Sequence, residues 1–253
     1  MPDTQLFRAL AITSMLAILT VLGACSAPKE TGQIPATPTE VAGSDSNGVP
    51  EPNEKALGES LLAAVAANDG PEVRRLLDAG APANHRGADD RPVLVAATRA
   101  NAIDAARELV AGGADVNAKD SISDSAFLYA GAEGLNEILK LAIGHGADVS
   151  STNRYGGTAL IPACEHGHVE TVGLLLAAGV EVDHVNNLGW TCLLEAVILG
   201  DGGTEHQEVI TMALAAGANP ELGDADGTTA LEHAREKQQS AVVRLLESAG
   251  PPR

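Results

Sequence analysis

Apolar and small residues return along this chain at a fixed interval. Leu61, Leu94, Phe127, Leu160, Leu193 and Leu231 are each followed three places later by an alanine, at 64, 97, 130, 163, 196 and 234. A spacing of three sets the pair on one face of a short helix. A second apolar block follows in the same interval, as at Leu76-Leu77, Leu174-Leu175-Leu176 and Leu245-Leu246, and predicts a second helix. Glycine closes the interval. Gly80, Gly113, Gly146 and Gly179 are 33 residues apart, Gly217 follows after 38 and Gly250 after 33 again. A glycine there supplies the left-handed conformation that ends a helix. Self-similarity at this period predicts a stack of helix-turn-helix units, each burying its apolar face only against its neighbours.

The heads of the first helices carry a more specific signal. Thr158-Ala-Leu-Ile-Pro-Ala163, Thr191-Cys-Leu-Leu-Glu-Ala196 and Thr229-Ala-Leu-Glu-His-Ala234 resemble the Thr-Pro-Leu-His-x-Ala opening of the ankyrin repeat. Gly167-His168-Val169-Glu170, followed by the leucines at 174 to 176, is similar to the start and core of its second helix. The resemblance implies an all-α ankyrin-repeat solenoid of about six units with β-hairpin connections, at about 54–86, 87–119, 120–152, 153–185, 186–223 and 224–253. Each threonine is placed to cap an orphan amide, and each alanine lets neighbouring helices approach. Three departures stand out. Asp90 and Ser123 replace the turn glycine present at Gly156, Gly189 and Gly227, which predicts distorted hairpins in units two and three. The five added residues Asp201 to Glu205 lengthen the inner turn of unit five and project from one face. The end units are atypical, with Glu59 for the head threonine and Gln238-Gln239 for Gly-His.

Ahead of the repeats, Ala9 to Leu22 form an apolar run too short to span a bilayer, preceded by Arg8. It ends in Leu22-Gly23-Ala24-Cys25, which resembles the lipobox of bacterial lipoproteins. The resemblance implies a signal peptide at 1–24, cleavage before Cys25 and a lipid on that cysteine. In a Gram-negative cell Ser26 then implies the outer membrane, facing the periplasm. In a Gram-positive cell the anchor stays on the outer face of the plasma membrane. Residues 25–53, rich in Pro, Thr, Ser, Gly and Glu, read as a disordered tether.

Composition narrows the function. Aromatic residues are 2% of the chain, which suits thin, closely packed helices better than a large globular core. Asp plus Glu number 34 against 16 Lys plus Arg, a formal charge of −18, which argues against nucleic acid as a partner. The chain lacks a Gly-x-Ser-x-Gly, a phosphate loop, a dinucleotide fingerprint and a Cys-x-x-Cys or His-Glu-x-x-His metal signature. No catalytic residue, metal or cofactor is expected. Cys164 and Cys192 fall at the seventh and second positions of adjacent first helices. Five residues of rise combined with the spacing of neighbouring helices puts their α-carbons about 11 to 12 Å apart. A bridge needs about 7 Å, so two unpaired, buried thiols are expected.

What remains is binding. The resemblance places variable, partner-binding positions on the hairpin tips and the exposed face of the first helices. Mapped onto this chain they include Ile122, Asp124, Arg154, Tyr155, Leu188 and Trp190, with Glu165, His166, Ile198 and Leu199 toward the helix ends. Trp190, the single tryptophan, either stands out as an anchor or folds down against its own hairpin. The implied function is an exported, lipid-anchored module that binds one protein partner on the concave face in the cell envelope, as an immunity protein or inhibitor. The alternatives are a scaffold or protective factor for an envelope enzyme, and, more remotely, a hydrolase or metal-binding protein using Glu165, His166 and His168.

Overall fold

The computed structural model describes residues 52–249. The expected signal peptide, Cys25 as the expected site of a lipid, and nearly all of the expected tether lie outside the described residues. Twelve described helices form six pairs: α1 (Pro52–Ala66) with α2 (Gly70–Asp78), α3 (Val93–Arg99) with α4 (Ile103–Ala111), α5 (Ala126–Ala132) with α6 (Asn136–Gly144), α7 (Leu160–Glu165) with α8 (Val169–Ala177), α9 (Cys192–Ile198) with α10 (Thr204–Ala215), and α11 (Ala230–Glu236) with α12 (Ser240–Ala249). The first helix of each pair packs on the first helix of the next, and second helices do likewise. The described residues contain no strand. The hairpins that join the pairs carry isolated bridges, Arg86 to Pro92 and Gly223 to Thr229.

The two ladders form the core. Leu61, Leu94, Phe127, Leu160 and Leu193 are buried, as are all six alanines; Leu231, in the last unit, is half-buried. Helices of six or seven residues are too short to persist alone, so they exist because their apolar stripe is covered on both sides by neighbours. Head-residue capping follows the expectation at Thr191 and Thr229, whose hydroxyls accept from the amides of Leu194 and Glu232, the latter in a full capping box. It fails at Thr158. There α7 begins one residue late, with Ala159 as its cap, and the buried Thr158 hydroxyl has no partner. In unit three Ser125 takes the capping role, accepting from Leu128.

Asp90 and Ser123 do not distort their hairpins. Both adopt the left-handed conformation, with φ of 57° and 65° beside 71° to 80° at Gly156, Gly189 and Gly227. Each hairpin closes the same turn, from the Asp90 amide to Gly87 and from the Ser123 amide to Asp120, as from Gly156 to Asn153. The turn geometry is imposed by the stack, and these two residues bear its conformational cost. The added segment of unit five is shared between a longer inner turn and a longer helix. Part of it lengthens α10 to 12 residues against nine in α8. His206, next along α10, ties that helix to unit four: its Nε2 lies 2.8 Å from the Glu165 carbonyl oxygen and its Nδ1 2.9 Å from Asp201 Oδ1 in the added turn.

Cys164 and Cys192 are joined by a disulfide, with α-carbons 5.4 Å apart, contrary to the expectation of free thiols. That expectation set equivalent residues of neighbouring helices side by side. The helices are instead offset along their axes, so that residue i lies beside i + 28, and the five residues of rise cancel. The same approach occurs one unit earlier, where a Cβ built on Gly131 would stand 2.7 Å from the Cβ of Ala159.

Candidate partner-binding surface

Each hairpin tip from unit three onward is built on one side chain. Asp120, Asn153, Asn186 and Asp224 each accept, through Oδ1, from the amides two and four residues later. Such a turn fixes the backbone of the tip and turns the intervening side chain away from the core. The residue two places after the anchor is therefore displayed at a constant position. In units three, four and five it is Ile122, Tyr155 and Leu188, which are 40%, 49% and 41% exposed. In units two and six the same position holds Asp89 and Asp226, both exposed. An apolar row on three consecutive tips is thus closed at either end by a carboxylate. The tips of units four and five are also bonded directly, from the Asn187 amide to the Tyr155 carbonyl at 2.9 Å.

Behind the row lies a polar layer. Asp124 is buried at 8% exposure and stands 3.6 Å from Arg99 and 3.9 Å from Arg154. Burial, then the charge of Asp120, raises its carboxyl above the ordinary aspartate range, against the pull of the two arginines. The guanidiniums stack as well, Arg99 over Tyr129 at 4.5 Å and Arg154 over Tyr155 at 4.6 Å, contacts that hold both rings in place. The structure thus brings Asp124, Arg154 and Tyr155 into one group.

Toward the middle of the face, Glu195 on α9 is 4% exposed and accepts from Asn186 Nδ2 at 2.9 Å. Burial and the neighbouring Glu165 push its carboxyl up to about 8, against the lowering effect of that hydrogen bond. Burial raises Glu165 too, with His166 acting in the opposite sense. His166 is exposed, its Nδ1 3.0 Å from the Pro162 carbonyl, and its ring lies 5.4 Å from that of His168. Burial, then His166, lowers the His168 imidazole below its ordinary value. Among the described residues no three His, Cys, Asp or Glu are grouped as metal ligands.

Trp190 is half-buried and packs against the core, and Ile198 does the same. The tryptophan therefore supports its hairpin from below, and the exposed apolar surface of unit five is Leu188 with Leu199 at 40%. Two surface features escaped the sequence reading. Val185, which precedes the Asn186 anchor in sequence, is a further large apolar residue at 51% exposure. Glu195 occupies the place before the ladder alanine where the other units have Ala63, Ala96, Tyr129, Pro162 and His233. The anchors of the tips were legible too, since Asp120, Asn153 and Asn186 recur at 33 residues.

The chain matches known proteins over this same region. A family model described as ankyrin repeats (3 copies) matches residues 127–224. The ankyrin repeat protein YahD of Escherichia coli (strain K12) is 43% identical over 56 residues, 22% of this chain. The chain spans 28% of the length of that curated relative. A crystallised ankyrin repeat domain from Acinetobacter baumannii AYE is 53% identical with a TM-score of 0.73, covering 75% of this chain and 97% of that domain. The crystallised ankyrin repeat protein EF0377 is 37% identical with a TM-score of 0.72, over the same shares of the two chains.

Proposed function

The chain belongs to the ankyrin repeat family, and from that premise we propose that it is an exported, lipid-anchored module that holds one protein partner in the cell envelope. The observation that carries the binding surface is the row of Ile122, Tyr155 and Leu188. Exposed large apolar side chains are ordinary when scattered. Three at one structural position on consecutive tips, each tip fixed by its own Asp or Asn anchor and Tyr155 stacked under Arg154, form a row of the kind that anchors an interface. The role is binding and not catalysis, and an inhibitor or immunity protein that covers an envelope enzyme or toxin is its most specific form. The lipobox-like Leu22-Gly23-Ala24-Cys25 supports the anchor, and the disulfide supports an oxidising compartment.

The test compares the full chain with Ile122→Ala/Tyr155→Ala/Leu188→Ala in capture from an envelope extract of the cells that make it. The three side chains lie outside the core, so the variant keeps its circular dichroism and melting temperature. Loss of the captured protein is the expected result. Undiminished capture by the variant refutes the row as the binding surface.

A further inference from the structure

The Cys164–Cys192 bond joins the first helices of the two units whose tips carry Tyr155 and Leu188. Cys164 and Cys192 are both fully buried. Their positions are the i and i + 28 of the stack, the same approach that Gly131 and Ala159 make one unit earlier. At the other boundaries the equivalent pairs are Val65 with Val93, Thr98 with Ala126, Gly131 with Ala159 and, across the five added residues, Val197 with Ala230. Small or apolar residues hold the equivalent positions elsewhere, and two cysteines meet only between units four and five. On the displayed side of the same boundary the Asn187 amide donates to the Tyr155 carbonyl. The boundary is thus tied covalently in the core, by a hydrogen bond between the tips and by His206 at the Glu165 carbonyl.

We propose that the Cys164–Cys192 bond is a clamp installed by thiol–disulfide exchange during folding, and that it holds the Tyr155 and Leu188 tips in register. The exchange needs a disulfide oxidant, such as an envelope thiol–disulfide oxidoreductase or oxidised glutathione. The thiolate of one cysteine attacks the oxidant's disulfide and expels one of its thiolates. The second cysteine's thiolate then attacks the first cysteine's sulfur in the mixed disulfide and releases the other. The chain loses two protons and two electrons, and the oxidant leaves as two thiols. Because both sulfurs are buried once units four and five have closed, the exchange precedes that closure. The finished bond is then shielded from reductants by the same packing. Its value to binding rests on the reading of the row as the binding surface; the bond and its effect on the boundary do not.

The experiment uses the full chain purified from cells that export it, and no partner. Alkylation in denaturant followed by digestion should give one linked peptide pair containing Cys164 and Cys192, two hydrogens lighter than the sum of its thiol forms. Alkylation of both cysteines without prior reduction overturns the proposal. Hydrogen exchange then compares the oxidised chain with the same chain unfolded, reduced and refolded under reductant, and with Cys164→Ser/Cys192→Ser. The Asn187 amide should exchange about tenfold faster without the bond, while the Ala105 amide, which donates to Asn68 Oδ1 between units one and two, keeps its rate. An unchanged Asn187 rate, or equal acceleration of both amides, overturns the clamp. Should the double variant not fold, the reduced wild-type chain supplies the same comparison.

Discussion

Replacing Glu195 by glutamine should remove a fall in stability with rising pH that this one group contributes at the middle of the stack. In the folded protein the Glu195 carboxyl titrates at about 8, against 4.5 for the ordinary group, because burial and the charge of Glu165 disfavour its ionised form. A raised acid means that the folded state binds the extra proton. Its effect is absent below about pH 4.5, grows as pH rises, and is complete above about 8, with stability falling throughout that window. At about 1.4 kcal/mol for each pH unit crossed, ionisation of this one group costs roughly 5 kcal/mol in full. Glutamine has nearly the same shape, keeps an oxygen to accept from Asn186 Nδ2, and cannot ionise. Urea unfolding of the wild type and Glu195→Gln at about pH 5 and about pH 9 isolates the term, since every other titrating group is common to both proteins. At the lower pH the two should agree within about 1 kcal/mol. At the higher pH the variant should be more stable by about 3 to 5 kcal/mol. A difference that stays the same at both pH values would falsify the assignment of a buried, proton-holding carboxyl to this position.

Two further outcomes test separate parts of the reasoning. Ser123→Gly should raise the stability of the chain by about 0.5 to 1 kcal/mol, because the turn holds this residue at a φ of 65°; a loss of stability in thermal unfolding would show that the serine is not strained there. Cys25→Ser should move the protein from the detergent-soluble membrane fraction into the soluble envelope fraction and abolish labelling with a radioactive fatty acid, and retained labelling would place the lipid elsewhere.

The stack was legible because its signals are periodic and local. A leucine and an alanine three residues apart can share a helix face whatever surrounds them, and the structure buries all six ladder alanines. The disulfide was not legible because it depends on how far one helix slides along the next. That offset is decided by the packing of whole units, and nothing in the spacing of Cys164 and Cys192 reports it. The same holds for Thr158: its sequence is that of a capping residue, but α7 starts a residue late and the hydroxyl is enclosed without a partner. Of the candidate surface, position alone identified Ile122, Tyr155 and Leu188 as displayed. For Trp190 the sequence left two placements open, and the structure packs the ring half-buried against the core. Glu195 was hidden for a different reason, since a carboxylate beside a core alanine reads as a surface residue until its neighbours close over it.

Cross-unit bonds at the base of the hairpins bear on how a partner is met. Asn84, Asn117 and Asp183 each accept, through Oδ1, an amide of the following unit, at Asp115, Asp148 and Asn219. Arg86 donates to the carbonyl of Lys119, and Lys119 to that of Thr152. The loops are therefore ordered by folding and not by association. A loop that must settle on binding loses freedom at that moment, and affinity falls accordingly. Here that loss has already been incurred by the free protein, so a complementary surface can dock as one rigid body against another. Association of this kind proceeds without a slow rearrangement, and differences in affinity among variants of the row should appear in how long the complex lasts.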